Sequence, residues 1–171
     1  TLRGRFFPLR DGVLQREAGI SAAALKAVRQ FHLVACGTAY HAGLVGKYWL
    51  EEATGVPAHA ETASEFRYRK STLNREDLVI AISQSGETAD TLAAVRMAKE
   101  TGAKVLSICN TVGAAIPRAA DYNLYTHCGP ELGVASTKAF IGQMSALAVF
   151  TMHAALARGA MTEPDARELV D

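Results

Sequence analysis

Apolar residues fall along this chain in short blocks, and the period of the pattern changes from one block to the next. Residues 31–35 (Phe-His-Leu-Val-Ala) read as a first strand, followed by a Cys-Gly-Thr turn and a helix through about Ala53 that Gly55-Val56-Pro57 stops. Residues 56–62 read as a second strand and residues 64–70 as one or two helical turns. The clearest strand is 77–82, Asp-Leu-Val-Ile-Ala-Ile, a continuous apolar run of the kind required when both faces of a sheet are covered. A loop, 83–88, then leads into a helix at 89–100, with Leu92, Val95 and Met97 as its buried stripe and Gly102 just past its end. Residues 104–109 and 122–126 read as the fourth and fifth strands, and 136–158 as a long helix closed by Gly159.

Strands alternating with helices predict an α/β fold: a three-layer αβα sandwich on a five-stranded parallel sheet, flavodoxin- or Rossmann-like, with right-handed crossovers. Residues 1–29 differ, with a basic, aromatic start and then a helix with Ser21 as its N-cap. Residues 160–171 look helical again and stop at Asp171. The expected division is an N-terminal arm and helix at 1–29, one domain at 30–158, and the start of a connection at 159–171. A first residue Thr1 rather than Met suits a processed form or an excised fragment.

Composition narrows the function classes. With 171 residues the chain supports one hydrophobic core, and its 49% apolar and 20% charged residues are ordinary for a globular protein. A formal charge of +1 supplies no basic field for nucleic acid or acidic lipid, and 7% aromatic residues make a poor stacking platform for single strands. Cys36, Cys109 and Cys128 are an odd number without CxxC spacing, which suggests reduced thiols in a cytosolic protein rather than disulfides or zinc. The five histidines show no metal-ligand spacing, so no metal and no cofactor is expected. Gln143, Ser145, Thr151 and His153 interrupt the longest apolar stretch, 139–157, and the first residues lack the apolar segment of a secretory leader. A cytoplasmic location without a membrane partner is therefore expected.

The candidate chemistry is in the loops after the strands. Ser83-Gln84-Ser85-Gly86-Glu87-Thr88 packs three hydroxyls and an amide into six residues between the strongest strand and a helix. In a parallel sheet that loop opens at the carboxyl edge, where the next helix points its free N–H groups and the positive end of its dipole. Gly86 lets the backbone turn and approach a ligand. A socket of many donors with little formal charge suits a phosphate group. Helix capping would need only one of the three hydroxyls.

With strand order 2-1-3-4-5 the switch point falls between strands 1 and 3, so Cys36-Gly37-Thr38 would face the same crevice. A third segment, 131–138, offers Ser136 and Thr137 before the long helix. No GxxxxGK[ST] or GxGxxG motif is present, which removes the usual nucleotide fingerprints. Cys36 suits a pocket or core residue as well as a thiolate nucleophile. Residues 65–70 fit either a basic phosphate patch or a solvated helix face. Glu131 fits either a base or a dipole partner for the nearby helix start.

The stretches ACGTAYHAG (35–43), YWLEEATGVP (48–57), ASEFRYRKS (63–71), ISQSGETADTL (82–92) and LGVASTKAF (132–140) resemble the glucosamine-6-phosphate synthases, the glutamine:fructose-6-phosphate aminotransferases. The resemblance runs from about residue 30 to 158. SQSGET alone indicates a sugar isomerase (SIS) domain, and ASEFRYRK with GVASTKAF narrows the match to the first SIS domain of the synthase's isomerase portion. The resemblance implies that Ser83, Gln84, Ser85 and Thr88, around Gly86, hold the phosphate of fructose 6-phosphate or glucosamine 6-phosphate. Cys36, Gly37 and Thr38 and the segment Val134, Ala135 and Ser136 would contact the sugar. Ala39 stands where the family usually has Ser, which removes one hydroxyl contact.

The family's glutaminase domain and its second SIS domain have no counterpart in these residues. The ring-opening His, the enolising Glu and the Schiff-base Lys belong to that second half, so no catalytic residue is expected here. The parent enzyme would act in amino-sugar (hexosamine) biosynthesis, and this portion would bind sugar phosphate without turning it over. A sensor that reports sugar phosphate to a DNA-binding partner would need a helix-turn-helix, and residues 1–29 show none. A free-standing deaminase or isomerase would need its own acid–base pair, for which Glu131 is the one candidate near the pocket. A homodimer is expected, because helix 136–158 has more apolar surface than one face needs.

Overall fold

The computed structural model describes residues 13–130 and 137–169. Five strands form one parallel sheet in the order β2-β1-β3-β4-β5. They are β1 (Gln30–Ala35), β2 (Ala58–Thr62), β3 (Asp77–Ser83), β4 (Lys104–Cys109) and β5 (Tyr122–Tyr125). All seven residues of β3 are buried. The two-residue period of a strand sorts its unbroken apolar run between two cores. Leu78, Ile80 and Ile82 join Phe31, Leu33, Leu106 and Ile108 on one face. Val79 and Ala81 join Val34 and Val105 on the other.

The helices before β3 are α1 (Val13–Ala18), α2 (Ala22–Ala27), α3 (Thr38–Thr54) and α4 (Ala63–Phe66). Those after it are α5 (Ala89–Glu100), α6 (Ala115–Ala119), α7 (Lys138–Arg158) and α8 (Glu163–Glu168). Helices α3 and α7 cover the first face, where Phe31 meets Phe150 edge to face at 6.1 Å. A Cβ on Gly46 would stand 3.0 Å from the Leu147 methyls and 3.2 Å from Leu33, so glycine sets how closely the two helices and the sheet approach. Arg158 of α7 donates to the carbonyls of Leu25, Lys26 and Val28, which closes the open end of α2 across the domain. Helix α7 is the one helix among the described residues long and apolar enough to cross a membrane, and it forms much of this core.

Helices α4, α5 and α6 cover the opposite face. The predicted α5 boundaries hold, but its fully buried residues are Thr91, Ala94, Val95 and Ala98, with Leu92 and Met97 only partly buried. Small side chains let this helix lie close to the sheet, so the bulky ones end up at its margins. Ser21 caps α2 as expected, with its hydroxyl accepting the Ala24 N–H at 3.2 Å. The turn expected at 64–70 reduces to Ala63–Phe66, and the 160–171 helix to Glu163–Glu168 with a Thr162/Asp165 capping box. Helices α1 and α6 were not anticipated; α6 has five residues, too few to display a period, and its N-cap Ala114 lacks the capping side chain that marked α2.

Asp121 fastens the edge strand β5. Its carboxylate accepts from the Val105 N–H at 2.9 Å, from Lys99 at 2.7 Å and from Lys104 at 3.1 Å. Burial pushes this carboxyl up, yet the hydrogen bonds outweigh burial and hold it below the ordinary aspartate range.

His32 on β1 is 4% exposed and neither ring nitrogen has a hydrogen-bond partner; its Nε2 stands 3.9 Å from Asp77. Burial, then the nearby His59 and Arg69, lower its pKa from 6.5 to about 4. The folded value is depressed, so the unfolded chain takes up the proton first, and stability falls as pH drops from about 6.5 toward about 4. Between about pH 7 and about pH 5 the loss from this group is about 2 kcal/mol, at about 1.36 kcal/mol per unit. His32→Leu is expected to flatten that slope in urea unfolding at a series of pH values. An unchanged slope would show that His32 is not its source.

Candidate functional site

The pairing of β1 with β3 builds the site. Ala35 lies opposite Ile82 at the carboxyl ends of these strands, so the chain leaves both at the same place in the sheet. To one side, β1 is followed by β2 and to the other, β3 by β4, so the following helices α3 and α5 diverge to opposite faces. Residues 36–38 and 83–88 flank the opening that results. A hydrogen bond joins the two sides, with the buried Thr91 hydroxyl donating to Cys36 Sγ at 3.8 Å. Cys36 is half-buried beside the crevice, and its thiol is held by a helix on the far side.

Gly37 and Gly86 both require the left-handed region. Gly37 has φ 58° and serves as the N-cap of α3 without a side chain to offer, leaving exposed Thr38 as the first residue of the helix. Gly86 has φ 71°, and a Cβ there would lie 2.5 Å from Ala114 Cβ and 2.7 Å from Cys109 Sγ. Glycine is therefore required at Gly86 both by backbone conformation and by the absence of space.

The hydroxyls of the loop divide their roles. Ser83 is 3% exposed; its Oγ accepts the Gly86 N–H at 3.0 Å and lies 3.2 Å from Thr88 Oγ1. Ser85 is exposed, and its Oγ accepts the Glu87 N–H at 3.2 Å. Thr88 is the N-cap of α5 without a side-chain cap bond, whereas the Ser83 and Ser85 hydroxyls each hold a backbone N–H of the turn itself. The first N–H groups of α3 and α5 thus both lack a side-chain partner at the carboxyl edge of the sheet.

Two arginines near this edge are already paired. Arg67 is bound to Asp90 at 2.6 Å and Arg69 to Glu61 at 2.8 Å. Both arginines of the 65–70 stretch are therefore ion-paired, while Lys70 is exposed. Val134, Ala135 and Ser136, together with Glu131, lie outside the described residues. The described chain resumes at Thr137, the N-cap of α7.

The sequence pattern did not single out Asn110, which follows β4. Its Oδ1 accepts from the Cys128 N–H at 3.0 Å and the Thr126 hydroxyl at 3.0 Å, and its Nδ2 donates to Gly129 O at 2.7 Å. Its own N–H donates to the Gln84 carbonyl at 3.3 Å. One residue thereby ties the 83–88 loop to the segment after β5. Its place at a strand's carboxyl end was the available signal, by the same rule that selected the other loops.

The family model for the SIS domain matches residues 24–153. The chain belongs to the SIS domain family. Among curated proteins it is 54% identical over 160 residues to the glutamine–fructose-6-phosphate aminotransferase (isomerizing) of Mycolicibacterium paratuberculosis, covering 93% of this chain and 25% of that protein. The Symbiobacterium thermophilum enzyme of the same name is 46% identical over 170 residues, covering 99% of this chain and 28% of that protein. The chain thus spans about a quarter of the length of these relatives. Its fold matches the C-terminal domain of the glucosamine-fructose-6-phosphate aminotransferase from Francisella tularensis with a TM-score of 0.83 and 40% identity, over 86% of this chain and 42% of that one. This SIS domain is homologous to the isomerase portion of glucosamine-6-phosphate synthase.

Gly86→Ala tests the site's central constraint. A left-handed non-glycine residue costs roughly 1–2 kcal/mol and overpacking roughly 1–3 kcal/mol, so a total loss of about 2–5 kcal/mol is expected in chemical denaturation. A variant as stable as the parent would contradict the tight seat assigned to Gly86.

Proposed function

We propose that residues 30–158 are the sugar-phosphate-binding unit of a glutamine-dependent, isomerizing fructose-6-phosphate aminotransferase in amino-sugar biosynthesis. One observation carries this reading: residues 36–38 and 83–88 converge at the β1–β3 switch point, with hydroxyls and two helix starts that no side chain caps. In this reading Ser83, Gln84, Ser85 and Thr88 build the socket for the phosphate of fructose 6-phosphate or glucosamine 6-phosphate, with Gly86 letting the loop seat against Ala114 and Cys109. Ser83 supports the turn from within, and Ser85 presents its hydroxyl from the exposed side. Cys36, Gly37 and Thr38 line the sugar side, and Val134, Ala135 and Ser136 complete it.

The helix starts supply partial positive charge where the arginines cannot, because Asp90 and Glu61 already neutralise them. The parent enzyme transfers glutamine-derived ammonia to fructose 6-phosphate and moves a proton between C2 and C1 through a positioned base. That base and the amide-hydrolysing nucleophile are assigned to the parent's second SIS domain and its glutaminase domain, and no residue of this chain is assigned a catalytic role. The parent works in the cytoplasm. A second copy of the domain covers the exposed side of α7, where Ile141 is 62% exposed.

Calorimetric titration with glucosamine 6-phosphate, against glucosamine and inorganic phosphate as controls, tests the reading. A hydrogen bond to a charged group contributes about 1.5–3 kcal/mol, so Ser85→Ala is expected to weaken binding by roughly ten- to a hundredfold. Unchanged affinity would remove Ser85 from the site.

A further inference from the structure

Glu87 puts a carboxylate between Ser85 and Thr88, in a loop read as a phosphate site. Like charges repel, so an acidic side chain aimed at the ligand would weaken binding. The Glu87 side chain instead reaches behind the loop, where Oε1 accepts the Ala115 N–H at 2.8 Å in the first turn of α6. Ala114, the N-cap of that helix, has no side-chain acceptor of its own, so Glu87 caps α6 from a different segment. A carboxylate suits this place, because the N-terminal N–H groups of a helix favour negative charge.

The neighbouring residues are fastened to the same segment. The Gly86 carbonyl accepts the Ile116 N–H at 2.9 Å, and the Gln84 carbonyl accepts from the Asn110 N–H at 3.3 Å and the Thr111 hydroxyl at 3.4 Å. The seat of Gly86 is lined by Ala114, Cys109 and Pro117. Residues 84–87 therefore lie against residues 109–117 from behind. Glu87 supplies the one hydrogen bond in this set made by a side chain of the loop itself.

We infer that Glu87 is a positioning residue: its hydrogen bond to Ala115 fixes the 83–88 loop in its binding geometry, and its negative charge opposes the anionic ligand. The inference rests on the phosphate reading of the loop. Two substitutions separate the hydrogen bond from the charge, because Glu87→Ala removes both and Glu87→Gln keeps an acceptor while removing the charge.

The test uses the 171-residue chain. Amide hydrogen exchange without ligand is combined with titration by glucosamine 6-phosphate. Glu87→Ala is expected to speed exchange at Gly86, Ala115 and Ile116 several-fold and to weaken binding by roughly three- to tenfold, less than the roughly tenfold or more of a direct charge-assisted bond because Glu87 acts through the loop. Glu87→Gln is expected to restore slow exchange and to bind at least as tightly as the parent chain. Unchanged exchange in Glu87→Ala, or Glu87→Gln behaving like Glu87→Ala in both measurements, would overturn the inference. If exchange responds as expected but the parent chain binds no sugar phosphate, the anchoring role is supported and the phosphate reading is what fails.

Discussion

The pairing of β1 with β3 is the constraint on which the site depends. These strands are separated in sequence by a complete strand and two helices, yet they lie side by side with Ala35 opposite Ile82. Right-handed crossovers then send α3 and α5 to opposite faces, and a crevice opens where they part. The apolar run of β3 fixes the register of that pairing. Its alternate residues fill two different cores, so a slip of one residue would exchange the contents of both.

Within that frame, chemistry and support are separated by direction. The 36–38 and 83–88 segments carry hydroxyls and lead into two helix starts without side-chain caps. The backbone carbonyls of Gln84 and Gly86 are turned to residues 109–117 and satisfied there. The two nearby arginines are paired, Arg67 with Asp90 and Arg69 with Glu61, which leaves oriented dipoles to serve the proposed binding surface. Neutral donors of this kind bind a phosphate group without the strong desolvation cost that an isolated buried cation would incur.

Much of this was legible in the sequence. The continuous apolar run at 77–82 and the spacing of the strands were enough to anticipate a five-stranded parallel sheet, and the order 2-1-3-4-5, taken there only as a condition, is the one the structure has. The resemblance in SQSGET and ASEFRYRK led to the SIS family, to which the chain belongs. What stayed hidden depends on contacts between segments distant in sequence. Nothing in residues 65–70 announces that Asp90 and Glu61 neutralise their arginines. Helix α6 is too short to show a period, so Glu87 had no visible partner. His32 reads as one more residue of a strand, and only the packed sheet shows that its ring is buried without a hydrogen bond.

One crevice at the β1–β3 switch point is proposed to bind a phosphorylated sugar through two converging loops. The most direct measurement is a map of backbone amide chemical shifts in the isotope-labelled chain as glucosamine 6-phosphate is added. The account predicts shifts at Ser85, Gly86 and Thr88, at the first residues of α5, and at Thr38 across the crevice, while amides at the amino ends of the strands stay in place. Shifts confined to any other surface, or none at saturating sugar phosphate, would contradict it.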